Sequence, residues 1–143
     1  MNTKALSLIK SFEGCRLTAY QDIAGIWTIG FGQTGPDIRM GLSWTQREAD
    51  KALMTTVSSI ERHMMLMLEV EQNINQMAAL IDFAYNLGLS ALQNSTLLKK
   101  INKEADIEDI ANEFLKWDKA NGRVVAGLTR RRKAEHDLYL EAA

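Results

Sequence analysis

The chain has 143 residues, 46% of them hydrophobic, which is the size of one domain with a core large enough to be stable unaided. Lys and Arg number 17 against 18 Asp and Glu, a formal charge of −1, so no whole-chain excess of positive charge points to nucleic acid or to an anionic membrane. The single Cys15 excludes an internal disulfide, and the most apolar uninterrupted stretch, Met64 to Leu68, is far short of the roughly 20 residues that span a bilayer.

Residues Met1 to Lys10 lack the apolar run and small-residue cleavage site of a signal peptide, so the chain as given is not expected to be addressed to export. Ala5, Leu8, Ile9 and Phe12 recur at helical spacing and predict a short first helix that runs out at Glu13-Gly14. The period then changes. Leu17, Ala19 and the run Ile26 to Phe31 are rich in β-branched and aromatic residues, and Asp22-Ile23-Ala24-Gly25 lies between them as a turn. A small hairpin or three-stranded sheet is expected there, followed by an irregular segment broken by Gly30, Gly32, Gly35, Pro36 and Gly41.

From Ser43 onward the pattern is helical. Thr45 and Glu48 fit a capping box, and Ala49, Leu53, Val57, Ile60, Met64 and Met67 extend one apolar stripe over about six turns, as in a helix that bridges two lobes. Asn75 to Leu87 is apolar nearly all round and is stopped by Gly88, which predicts a central buried helix whose few polar residues need a reason. Short helices are expected at Ser90–Gln93 and Thr96–Ile101, a longer one from an Asp106 cap to Gly122, and a charged outer helix over Thr129–Leu140.

The first segment places two carboxylates, Glu13 at a helix end and Asp22 at a hairpin tip nine positions later. Glycoside hydrolysis needs such a pair, one protonated to donate to the leaving oxygen and one ionised to activate water or stabilise positive charge. Eighteen acidic residues make many pairs, so spacing alone is weak; the surrounding pattern is what singles this pair out. Glu-x8-Asp-x5-Thr, set in Phe12-Glu13-Gly14 and Trp27-Thr28-Ile29-Gly30-Phe31-Gly32, closely resembles the catalytic segment of phage lysozymes, the endolysins of the lambdoid and related types. Ala79 to Gly88, Asn94 to Leu98, Phe114 to Trp117 and Gly122 to Glu135 are similar to later parts of that family, and Met40 to Leu68 matches mainly by pattern.

The resemblance implies an α+β, two-lobed lysozyme-like fold: a single domain over 1–143 with a small β-containing lobe at about 13–42 and a helical lobe at about 43–143, against which helix 2–12 packs. It implies a muramidase that hydrolyses the β-1,4 bond between N-acetylmuramic acid and N-acetylglucosamine to lyse the host cell. Glu13, Asp22 and Thr28 inherit the catalytic roles, with Asp22 and Thr28 holding a water for inversion, and Tyr85, Asn86 and Ser95 inherit substrate contacts. No metal, cofactor, nucleic acid or membrane segment is expected, and peptidoglycan glycan strands are the partner of a monomer made in the host cytoplasm and acting on the wall. The alternatives are a lytic transglycosylase, against which Asp22 and Thr28 argue, and a catalytically silent module that binds peptidoglycan.

One segment departs from the family. Gly30-Phe31-Gly32-Gln33 stands where Gly-Tyr-Gly-His is usual, and Gln33 cannot carry the charge a His can. Other candidates have blander readings. Cys15 is expected to be a buried inert thiol, Met64, Met65 and Met67 to be core packing, and His63 and His136 to lie on helix surfaces with no ligand partner. Arg130 to Lys133 is open between a solvated helix face and a substrate-holding patch, as Asn86 is between a sugar contact and a backbone-satisfied amide.

Overall fold

A computed structural model describes residues 1–143. Helix α1 (Thr3–Glu13) begins where the Asn2 side chain accepts the Ala5 N–H at 3.0 Å, while the Asn2 amide donates to the Ile74 carbonyl, so the cap also fixes the helix to its neighbour. It ends at Gly14, where φ is 67°, a conformation that suits glycine and turns the chain out of the helix. Ala5 and Ile9 face the core.

Strands β1 (Arg16–Gln21) and β2 (Trp27–Gly30) pair antiparallel, with Arg16 opposite Gly30 and Tyr20 opposite Thr28, and the register shifts between those pairs. No third strand forms. Ser43 makes a single bridge to Thr18, and the Ala19 and Trp44 N–H groups donate to Leu42 and Leu17 at 2.9 and 2.8 Å, which ties the irregular segment to the hairpin. Burial divides the pair by strand: Thr28, Ile29 and Gly30 of β2 are buried, whereas most of β1 is exposed.

Helix α2 (Gln46–Met67) starts on the expected capping box between Thr45 and Glu48 and buries Ala49, Leu53, Val57, Ile60 and Met64 along one face. Its 22 residues span about 33 Å, enough to run from the hairpin to the far end of the helical region. The methionines divide: Met64 is fully buried, but Met65 is 68% exposed, so core packing holds for only part of that group. A second capping box, Asn73 with Gln76, starts α3 (Ile74–Leu87), which is buried from Ala78 through Ala84. Helices α4 (Leu89–Gln93) and α5 (Thr96–Asn102) follow.

Two expectations fail from here on. The helix expected over 106–122 stops early, as α6 (Ile107–Phe114), and Asp106 stands at its start without making a side-chain cap bond. The chain then forms a tiny hairpin, β3 (Lys119–Ala120) with β4 (Arg123–Val124), because Asn121 and Gly122 both take positive φ, 51° and 76°, the pattern of the tightest hairpin turns. The last helix, α7 (Ala126–Leu140), is not an outer one. It packs on α3 and α6 and buries Arg131, Arg132, Glu135 and Tyr139. Phe83 of α3 makes edge-on contacts with Phe114 of α6 and with Trp117 just beyond it, ring centroids 5.7 and 5.3 Å apart, and Tyr139 of α7 lies against Phe114 at 5.6 Å. The result is an α+β arrangement of seven helices and two small strand pairs.

Candidate active site

Glu13 is the last residue of α1 and is half-buried. Its Oε2 accepts from Arg131 Nη1 at 2.7 Å. The other oxygen, Oε1, faces Gly32, where a Cβ would come within 3.0 Å of it. Gly32 also has φ of 86°, so both the backbone and the close approach demand glycine there.

Arg131 is 5% exposed and is held from behind. Its Nε and Nη2 donate to Asp82 Oδ2 and Oδ1 at 2.9 and 2.8 Å, a bidentate pair with a fully buried carboxylate on α3. Burial works against the charge on Arg131, but the hydrogen bonds and negative charges of Asp82 and Glu13 outweigh it and raise its proton affinity above the ordinary guanidinium value. A permanent cation therefore stands between two carboxylates, with the Phe12 ring 5.4 Å from its guanidinium. Sequence reasoning missed Arg131 and Asp82 as site residues. The available signal was a charged residue inside an otherwise apolar helix. Arg131 and Arg132 are also neither a solvated face nor a substrate patch, because both are buried and ion-paired; Arg130 and Lys133 alone of that run face solvent.

Tyr85 braces the hairpin lobe from α3. Its hydroxyl donates to the Phe31 carbonyl and accepts from Gln33 Nε2 at 3.0 Å, and Gln33 Oε1 accepts from Thr56 Oγ1 on α2 at 3.3 Å. Burial, then the negative charge of Glu13, push the phenol well above its ordinary range, so it stays neutral. Gln33 thus serves as an uncharged strut between the hairpin loop and two helices, where a His could have carried charge.

Asp22 stands at the exposed hairpin tip. Its Oδ1 accepts the N–H groups of Ala24 and Ile26, both at 2.9 Å, an Asx turn that fixes the side chain while Oδ2 has no protein donor. Thr28 is 5% exposed, and its hydroxyl donates to the Ile26 carbonyl at 2.9 Å. One peptide residue, Ile26, is therefore held at its N–H by Asp22 and at its C=O by Thr28. The five-residue interval between them closes that local unit.

The remaining candidates separate. Asn86 is half-buried at the end of α3, and its Oδ1 is inaccessible to solvent with no donor, so backbone does not satisfy it. Ser95 is removed from the substrate-facing set: it is 2% exposed, and its hydroxyl donates to the Leu92 carbonyl at 2.6 Å and accepts the Leu98 N–H at 3.0 Å as the cap of α5. Cys15 is exposed rather than buried, because it lies at the solvent side of the α1–β1 junction, 3.7 Å from Gln46 Nε2.

The phage lysozyme family matches residues 10–135. The endolysin of Bacillus phage B103 is 40% identical over 137 residues, which cover 94% of this chain and 52% of that protein, so the chain spans about half the length of that relative. The endolysin of Acyrthosiphon pisum secondary endosymbiont phage 1 is 38% identical over 146 residues and is matched end to end, 99% of each chain. Among solved structures, the endolysin from Escherichia coli O157:H7 phage FAHEc1 superposes with a TM-score of 0.88 at 34% identity, over 96% of this chain and 91% of that one.

Proposed function

The chain belongs to the phage lysozyme family, and on that premise we propose that it is an endolysin, a lysozyme-type glycosidase that hydrolyses the β-1,4 bond between N-acetylmuramic acid and N-acetylglucosamine in bacterial peptidoglycan. The observation that carries the residue assignment is the contrast at the two carboxyl groups: Glu13 is fixed by a buried cation at one oxygen, and Asp22 is open to water at one oxygen.

Glu13 acts as the general acid through Oε1, the oxygen that Arg131 does not hold. As the proton passes to the glycosidic oxygen, the C–O bond breaks and negative charge forms on Glu13 beside a cation that is already in place, so no reorganisation is needed at that moment. Positive charge develops on the sugar ring. A water on the opposite face attacks the anomeric carbon and gives one proton to Asp22 Oδ2. Thr28 has its own hydrogen on the Ile26 carbonyl, so its oxygen accepts the water's second hydrogen and aims the lone pair. The reaction ends with Glu13 ionised and Asp22 protonated, and solvent returns the proton.

Tyr85 holds the Phe31–Gln33 loop that walls Glu13. The working unit is one chain that needs no cofactor and acts on the wall beyond the inner membrane; no helix in it is long and apolar enough to cross a membrane. Mass spectrometry of digested wall fragments tests the reading. Free hemiacetal ends of N-acetylmuramic acid are expected; predominantly 1,6-anhydro ends would make the enzyme a transglycosylase and remove Asp22 from the chemistry.

A further inference from the structure

The loop that walls Glu13 is tied down by a chain of hydrogen bonds whose direction is forced. Gln33 closes the loop through its backbone: its N–H donates to the Ile29 carbonyl at 2.8 Å and its C=O accepts the Ile29 N–H at 2.9 Å. Gly30, Phe31 and Gly32 lie inside the turn between them. The Gln33 side chain then reaches both flanking helices. The Phe31 carbonyl can only accept, so the one hydroxyl proton of Tyr85 goes to it. The Tyr85 oxygen is left to accept, which sets the Gln33 amide nitrogen toward α3 and its oxygen toward the Thr56 hydroxyl on α2. The chain therefore runs one way, from Thr56 through Gln33 and Tyr85 to the Phe31 carbonyl. The next residue is Gly32, whose backbone passes so close to Glu13 that a Cβ would stand 3.0 Å from Oε1.

We propose that Gln33 is a positioning residue for the acid: its amide, a donor on one side and an acceptor on the other, aims the Tyr85 proton at the Phe31 carbonyl and so holds Gly32 against the proton-bearing oxygen of Glu13. The inference rests on Glu13 being the general acid. An amide suits the task because it offers both roles at every pH and brings no charge. A carboxylate of the same size offers only acceptors. In place of Gln33 it still accepts from Thr56, but it draws the Tyr85 proton to itself, and the Phe31 carbonyl loses its donor. Once protonated, the same group has one donor and one acceptor again, and the chain is restored. The charged groups around the chain are Glu13 of α1, Asp82 of α3 and Arg131 of α7 about the Tyr85 hydroxyl, and Glu48 and Lys51 of α2 beside Gln33. All of them are the same in wild type and in a Gln33 variant, so a comparison of the two at each pH isolates residue 33.

The test is Gln33→Glu, with its kcat taken as a ratio to wild type at each pH. At pH 7 the ratio should fall to on the order of one-tenth, with KM little changed, since small misplacements of a catalytic group are that damaging. It should rise toward one as pH falls into the ordinary carboxyl range of about 4. A purely electrostatic effect has the opposite sign, because a new negative charge raises the proton affinity of Glu13 and lifts the ratio above one near neutrality. A ratio that is flat with pH, or above one at pH 7, overturns the inference. Carbon-13 NMR of the Phe31 carbonyl reads the same switch without catalysis: relative to wild type, its shift in Gln33→Glu should follow that titration, and a shift that does not move overturns the inference. Should Gln33→Glu fail to fold, Tyr85→Phe removes the last bond of the chain and should lower kcat to a similar degree. Adding Gln33→Met to it should then cost little more, and fully additive losses overturn the inference. Failure of the Glu13 assignment is seen separately, as an active Glu13→Gln enzyme while the Phe31 carbonyl of Gln33→Glu still titrates.

Discussion

The two carboxylates of the site are mounted in opposite ways. Glu13 is fixed by tertiary contacts, with a buried arginine 118 residues away along the chain at one oxygen and a second carboxylate behind that arginine. Asp22 is fixed by its own turn, through backbone N–H groups two and four residues on, and its other side is open to solvent. The difference suits the two tasks proposed for them. An acid that must present one proton to one oxygen gains from a rigid mount shielded from water, whereas a base that takes a proton from water has to let water in.

Activity should break the comparison most sharply at the acid. Glu13→Gln is expected to lower wall lysis by about 100-fold or more while the fold persists, because an amide accepts from Arg131 as the carboxylate does but cannot donate the required proton. Retention of more than about a tenth of the activity would contradict the assignment. Stability should break it next, and unequally. Arg131→Leu leaves the fully buried Asp82 without its cation and should cost about 3–5 kcal/mol in urea unfolding. Asp22→Asn, whose amide oxygen can still accept both turn N–H groups, should leave the unfolding midpoint nearly unchanged while activity falls. Equal destabilisation by the two variants would erase the distinction between a tertiary and a local mount.

The same distinction decides what could be read from the sequence. Local signals were legible: the Thr45–Glu48 capping box, the Gly14 stop and the Asp22–Gly25 turn each act within a few residues, and the structure has all three. The pattern of Glu13, Asp22 and Thr28 was legible for the same reason, since its intervals are set by one helix end and one hairpin. Arg131, Asp82 and Glu135 were not. Arg131 and Glu135 read as surface, and Asp82 as a polar residue of a buried helix without a partner, until the fold brings α3 and α7 together, and no spacing rule connects residues 49 or 118 positions apart. Ser95 misled in the other direction, because a cap hydroxyl and a substrate-facing hydroxyl look alike in a sequence. The β3–β4 hairpin was missed although Asn121-Gly122 announces it, because its strands are two residues each and a helical period ran up to them.

A smaller effect sharpens the contrast through pH. Glu135 has a folded-state pKa well above its ordinary value of 4.5, because of burial and then Asp82. The folded state therefore binds a proton there that the unfolded chain releases, so this stabilisation is complete below about pH 4.5 and is lost as pH rises through the folded value. Glu113 has the opposite sign: burial raises it, but hydrogen bonds from Lys100 and Lys116 outweigh that and lower it, so its stabilisation is present above the ordinary carboxyl range and is lost in acid. Thermal melts from pH 5 upward should show wild-type Tm falling relative to Glu135→Gln, which carries no proton to lose. Parallel curves would mean that Glu135 titrates normally.

The central claim, that a buried-mounted acid works with a water-facing base, is tested most directly by the anomer first released from a soluble β-linked glycan substrate, followed by proton NMR before mutarotation. A water delivered by Asp22 and Thr28 to the face opposite the leaving group gives inversion, so the account predicts that the α-anomer appears first. The β-anomer appearing first would mean retention, with Asp22 as a nucleophile attacking the sugar itself, and would contradict it.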